Sequence, residues 1–193
     1  MRHLGSFAVL VLIVSLTGCA TQAQFTAMVP SNVQLVNHHA NTVSTTVTGG
    51  EKTNPLLPSE ISSDGYKHAL DQTLLDSKLF SNVREGSSGE YQLTVRLNKA
   101  KQPMVGLGMT VRLSADWVLT YTNNGETVWQ ETIEIEYTAK LTEHLVGIER
   151  LRKANEGAVR ENIRIGLERL SAVPFQNKIR LTGGSSAQPP QHQ

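Results

Sequence analysis

The chain carries one cysteine, Cys19, which closes the run Leu16-Thr17-Gly18-Cys19. A thiolate there is a nucleophile suited to attack on a lipid donor, and the small Thr17 and Gly18 leave the preceding backbone open to a peptidase. What comes before the run fits that chemistry. After Arg2, the 13 residues from Leu4 to Leu16 carry no formal charge. As a helix they would reach only ~20 Å, well short of a hydrocarbon core of ~30 Å. A basic start, a short apolar middle and small residues before a break form the pattern of a removable export signal, not of a stop-transfer anchor. The expected outcome is therefore export with removal of the leading segment, and a Cys19 thiol open to lipid attachment. The competing reading is a buried core thiol; the position of the run near the amino terminus, behind Arg2, speaks against it.

Elsewhere, residue types that support catalysis lack the spacing for it. His38 and His39 are adjacent, so on a strand they face opposite ways, and no Cys or carboxylate pattern stands nearby. Glu143-His144 lacks the second histidine of a helical zinc motif. Neither Ser62-Ser63-Asp64 nor Ser87-Ser88 sits in a Gly-x-Ser-x-Gly elbow. Gly106-Leu107-Gly108 is followed by a strand pattern, not the helix a dinucleotide loop requires. No catalytic residue, metal or cofactor is predicted. An enzyme, or an enzyme activator acting on cell-wall or lipid substrates, would need Asp116, Glu131, Glu134 or His144 to converge in one cleft.

The run Leu16-Thr17-Gly18-Cys19 resembles the lipobox of bacterial lipoproteins. The resemblance implies diacylglyceryl transfer to the Cys19 sulfur, cleavage before Cys19 and acylation of the new amino terminus with palmitate-type chains. Two or three acyl chains, at ~0.8 kcal/mol per buried methylene, hold a protein on a bilayer far more firmly than one chain. In such lipoproteins a residue other than Asp after the cysteine goes with the outer membrane, and here that residue is Ala20. In a two-membrane bacterium the resemblance thus implies a lipid-anchored domain facing the periplasm.

Loss of residues 1–18 removes Arg2, leaving 17 Lys+Arg against 17 Asp+Glu. A neutral chain argues against a general nucleic-acid binder, whose affinity for phosphate comes from accumulated Lys and Arg. With one cysteine no internal disulfide forms, so stability in an oxidising compartment must rest on packing. The expected organisation is a signal peptide over 1–18, a tether over 19–31, one α+β domain over 32–180 and a disordered tail over 181–193, where Gly183-Gly184-Ser185-Ser186 and Pro189-Pro190 end the pattern.

Within the domain, Asn32–Asn37 and Thr42–Thr48 alternate as strands, and Asn54-Pro55-Leu56-Leu57-Pro58 connects onward. Ser59 or Ser62 caps a helix to about Ser77, with Tyr66, Leu70, Thr73 and Leu74 on one face. Gly86-Ser87-Ser88-Gly89 marks a surface loop. Tyr91 to Leu97 and Met109 to Tyr121 then place apolar residues at odd positions. After Asn123-Asn124-Gly125 the next strand buries Trp129, Ile133, Ile135 and Tyr137, so matched faces require opposed residues with an even sum. A three-residue loop with Gly125 in the left-handed region pairs Leu119 with Trp129 and Ala115 with Ile133. From about Ile148 to Ser171 helical spacing returns, and Gly157 and Gly166 suggest close approach to the sheet. The pairs Arg152/Glu156, Glu156/Arg160 and Arg164/Glu168 read as a solvated charged face.

These elements predict an α+β fold, an antiparallel sheet with two helices packed on one face. The order of helix, Ser77-Lys78-Leu79-Phe80, Tyr91-Gln92-Leu93 strand, Trp117 strand, Asn-Gly-Glu turn, Val128-Trp129 strand and terminal helix resembles small outer-membrane lipoproteins of the YajG type. More loosely it resembles the auxiliary lipoproteins of ABC-type lipid transporters. The resemblance implies a non-enzymatic accessory of an envelope complex, in contact with the membrane through Cys19 and with an envelope protein partner. One further feature bears on contact: Met104, Val105, Leu107 and Met109 place apolar residues at an expected hairpin end. They either fold back onto the core or meet a lipid or protein.

Overall fold

The computed structural model describes residues 24–50, 61–98 and 108–175. Gly18 and Cys19, the 54–58 connector, Met104, Val105, Leu107 and the 181–193 tail lie outside the described residues.

Three strands follow directly from alternation. In β3 (Tyr91–Leu97), β4 (Met109–Tyr121) and β5 (Thr127–Ala139) the odd positions turn to the core, and the three pair antiparallel. Leu119 lies opposite Trp129 and Ala115 opposite Ile133, as matched apolar faces require. The turn itself differs from expectation. Tyr121 accepts the Gly125 N–H at 2.8 Å and donates its own N–H to Glu126 at 2.8 Å, so the loop is Thr122–Gly125 rather than three residues. A register shift between Leu119 and Thr120 restores the even pairing. Gly125 takes φ 72°, the left-handed conformation that lets the chain reverse.

The sheet is mixed, not antiparallel. Its order is β2-β1-β3-β4-β5, and β1 (His39–Thr48) runs parallel to both β3 and β2 (Phe80–Arg84). Parallel neighbours cannot be joined by a tight hairpin. The helix α2 (Ser63–Ser77) lies between β1 and β2 in the chain and packs on both. The first half of β1 pairs β2 and the second half pairs β3, so the chain crosses over β1 between Arg84 and Tyr91. Gly89 makes the crossing: a Cβ there would stand 2.5 Å from Ser44 N, and its own N–H donates to Ser44 Oγ at 2.7 Å. The Gly86–Gly89 segment is therefore a crossover pressed on a strand as well as a loop. Glu90 completes it by accepting the Thr42 N–H at 2.8 Å and the Asn41 amide at 3.0 Å. Those bonds, the Thr42 N–H first, hold the Glu90 carboxyl below its ordinary range.

Asn32–Asn37 is not a strand. The segment is bonded to a helix instead. The short helix α1 (Phe25–Met28) precedes it, and Met28 is buried in the core.

Ser62 caps α2 by accepting the Gly65 N–H at 3.1 Å, and Lys78 ends it in the left-handed region at φ 54°. The predicted face, Tyr66, Leu70, Thr73 and Leu74, is buried. The helix α3 (Gly147–Ser171) lies against β4 and β5 on the same side of the sheet. Its two interior glycines receive aromatic rings. A Cβ on Gly157 would lie 2.4 Å from the Tyr137 ring, and one on Gly166 would lie 2.4 Å from Trp117. Asn162 ties the layers together. Its Oδ1 accepts from Tyr66 Oη at 2.6 Å and from Trp117 Nε1 at 3.1 Å, while its Nδ2 donates to the Ile133 carbonyl at 3.0 Å. All three side chains are fully buried, so this one amide satisfies groups from α2, β4 and β5 that would otherwise be stranded. Burial lifts the Tyr66 phenol well above its ordinary range, which keeps it a donor.

Candidate functional site

The charged face of α3 does more than meet water. Residues 24–36 lie along it as a strap, and the helix supplies partners for the strap's free backbone groups. The Gln24 N–H donates to Glu156 Oε1 at 3.0 Å, and Arg160 Nη1 donates to the Ala27 carbonyl at 2.8 Å. Farther along, the Gln34 N–H donates to Glu168 Oε1 at 3.1 Å and the Val36 N–H to Ser171 Oγ at 3.0 Å. Asn37 closes the row by donating to the Ser171 carbonyl at 3.0 Å. The strap therefore runs in the same direction as α3. Of the expected tether 19–31, residues 24–31 are thus held on the domain. The pairs Arg152/Glu156 and Arg164/Glu168 do form, at 3.8 and 2.7 Å, yet Glu156 is buried rather than solvated. Sequence reasoning missed this role because helical spacing alone explains such pairs. The available signal was the chain from Ala20 to Gly50, which carries no formal charge yet offers many backbone donors.

At the other end of α3 the surface is apolar. Leu145 is 83% exposed, Val146 53%, Ile148 46% and Leu141 39%. Four of the seven exposed large hydrophobic side chains among the described residues thus fall within this one stretch. The loop that presents them is well bonded: Lys140 N–H donates to Glu143 Oε1 at 2.8 Å, and buried Arg150 donates to the carbonyls of His144 and Leu145 at 2.9 and 2.8 Å. Val146 stands at the N-cap of α3, with no side-chain cap, although Ser, Thr, Asp and Asn are favoured there. Met109, predicted at a contact site, lies beneath this loop. It is half-buried, with its Cε 3.6 Å from where a Cβ on Gly147 would be.

Of the four groups an enzyme would need together, Asp116 and Glu134 share one face of the sheet and the other two lie elsewhere. Asp116 sits on the open face of the sheet, bonded to Arg96 at 2.9 Å, Thr132 at 2.8 Å and Asn98 at 3.3 Å, which together hold its carboxyl below the ordinary range, Arg96 first. Glu134 is also on that face, paired in register with Ser114. Glu131 points to the helical side and binds Arg169. His144 lies in the β5–α3 loop, where its Nδ1 accepts the Val146 N–H at 3.3 Å. His38 and His39 diverge as well. His38 Nδ1 meets the Lys78 carbonyl at 2.8 Å, whereas His39 stacks on Phe175 at 3.6 Å between ring centres. Burial, and then the neighbouring His38, lower the His39 pKa. No group of three or more His, Cys, Asp or Glu side chains among the described residues is placed to hold a metal. Nor is any helix among them long and apolar enough to cross a membrane.

No family model matches the sequence, and no curated protein matches it either. Solved structures do share its architecture. The protein XCC0632 from Xanthomonas campestris, described under the family model DUF330, is similar at a TM-score of 0.57 and 10% identity, over 74% of this chain and 89% of that one. The hypothetical protein CT253 from Chlamydia trachomatis is similar at 0.52 and 12% identity, over 69% and 97% of the two chains. The likeness is one of fold. A minor lipoprotein from Acinetobacter baumannii aligns over 72% of this chain and 94% of its own at 11% identity, but its TM-score of 0.44 carries no argument.

Proposed function

We propose that the chain is a membrane-anchored lipoprotein of the bacterial outer membrane, held by acyl chains on Cys19 and facing the periplasm. In this reading it serves as a non-enzymatic binding or accessory subunit of an envelope complex in lipid transport or assembly. The observation that carries the reading is a lipobox-like run ending at Cys19, five residues before Gln24, which is already fastened to Glu156. Five residues span at most ~17 Å of extended chain, so an acylated Cys19 keeps the domain against the bilayer. The order of elements that resembles YajG-type lipoproteins agrees with an accessory role. Asp116 and Glu134 share the open face of the sheet, Glu131 lies on the helical side and His144 in the β5–α3 loop, so the four do not meet in one cleft.

Crosslinking in intact cells, followed by identification of the attached proteins, tests the accessory role. The expected product is a reproducible adduct with an envelope protein. An abundant acylated chain that yields no such adduct contradicts it.

A further inference from the structure

The geometry points to the β5–α3 loop and the start of α3, residues 140–148, as a surface that lies on the phospholipid bilayer itself, with Leu141, Leu145, Val146 and Ile148 as its apolar contacts. The inference rests on the anchoring of Cys19 and adds an orientation to it.

The leash leaves the domain alongside α3. The strap meets α3 at Glu156 through Gln24, at Arg160 through Ala27 and at Glu168 through Gln34. Followed backward, it leads toward the N-terminal end of α3. Gly147 lies nine residues before Glu156, a helical rise of ~13 Å. The five residues from Gln24 back to Cys19 reach at most ~17 Å. That reach exceeds the rise to Gly147, so a bilayer that holds Cys19 can stand at the level of the loop. The opposite end of the domain, with the Thr122–Gly125 turn, is out of reach, because β5 runs antiparallel to the path of α3: Tyr137 meets Gly157, and Glu131 meets Arg169.

The loop's own chemistry points the same way without the leash. The loop exposes its apolar side chains while Arg150 binds the His144 and Leu145 carbonyls, Glu143 accepts the Lys140 N–H and His144 accepts the Val146 N–H. It is thus a built surface rather than a frayed one, and it uses valine where a polar helix cap would be favoured in water. Exposed Lys140 and exposed Glu143 both lie on it, so its charge is balanced and the apolar side chains must supply the attraction. Those side chains, at the end nearest the lipid anchor, match an interfacial contact.

The test uses the mature acylated protein reconstituted into phosphatidylethanolamine/phosphatidylglycerol vesicles containing brominated acyl chains. Leu145→Trp places a fluorophore on the loop, and Asn124→Trp places one at the far turn. Val146→Trp is a second loop variant, and the emission of Trp117 and Trp129 is subtracted using the unsubstituted chain. Mass spectrometry of the same preparations reports acylation. The expected result is quenching several-fold stronger for Leu145→Trp and Val146→Trp than for Asn124→Trp. Equal, weak quenching at all three positions in an acylated chain overturns the orientation and leaves the anchor standing. A bare Cys19 thiol overturns the anchor, and the orientation with it. A blue shift of the Leu145→Trp emission that follows protein concentration without lipid assigns the patch to a second copy instead, and also overturns the proposal.

Discussion

The two faces of the sheet are built on different principles. On the covered face, Trp117, Leu93, Leu119 and Ile133 are buried against α2 and α3, and glycines are keyed to rings at distances no Cβ would allow. On the open face, Arg96–Asp116, Arg112–Glu136, Thr110–Thr138 and Thr46–Gln92 knit the strands through partly wet polar pairs. Packing fixes the fold from one side, while the other side is free to vary in composition. Stability should accordingly be sensitive on the first face and tolerant on the second.

The largest effect is expected at Asn162. Asn162→Leu strands the Tyr66 hydroxyl, the Trp117 N–H and the Ile133 carbonyl, and at 1–3 kcal/mol for a buried unsatisfied group the loss should reach ~4 kcal/mol in urea denaturation. Gly166→Ala should follow at ~3 kcal/mol, because the Trp117 ring that a methyl would strike is held by Asn162 and has nowhere to move. Gly157→Ala meets a half-buried Tyr137 that can swing outward, so ~1 kcal/mol is expected there. Equal losses at the two glycines would contradict the idea that the fixed ring makes the difference.

The open face should respond weakly. Asp116→Asn removes charge from a partly exposed network and should change stability by less than ~1 kcal/mol. Its pH signature has a defined sign. Asp116 and Glu90 have folded pKa values below their ordinary 3.8 and 4.5. Their contribution is present above those ordinary values and is lost as pH falls through the depressed ones. Acid titration of stability should therefore flatten slightly in Asp116→Asn and in Glu90→Gln; a contribution that grows on acidification would have the wrong sign. Smallest of all is Ser171→Ala, which should speed amide exchange at Val36 while leaving the global transition in place.

The contrast between faces also explains what could be read from the chain. β3, β4, β5 and both long helices were evident because each buries a periodic apolar set, and the parity of Trp129 and Ile133 fixed their register. β2 was not evident: only Phe80 is buried in it, and an edge strand of that kind has no alternation to detect. The parallel pairing of β1 was hidden for another reason. It depends on the α2 crossover and on Gly89 lying flat over Ser44, contacts between distant segments that leave no local period. Residues 32–37 alternate like a strand, but their hydrogen bonds go to the end of α3. Of the candidate site, Cys19 was singled out by type and spacing, whereas the strap and the apolar end of α3 emerge only when Glu156, Glu168 and Val146 are placed in space.

The most direct measurement is intact mass and amino-terminal analysis of the protein extracted from membranes of its native cell. The account predicts a chain beginning at Cys19 that carries a thioether-linked diacylglyceryl group and an acylated amino terminus. A chain that retains residues 1–18 with an unmodified thiol would contradict it.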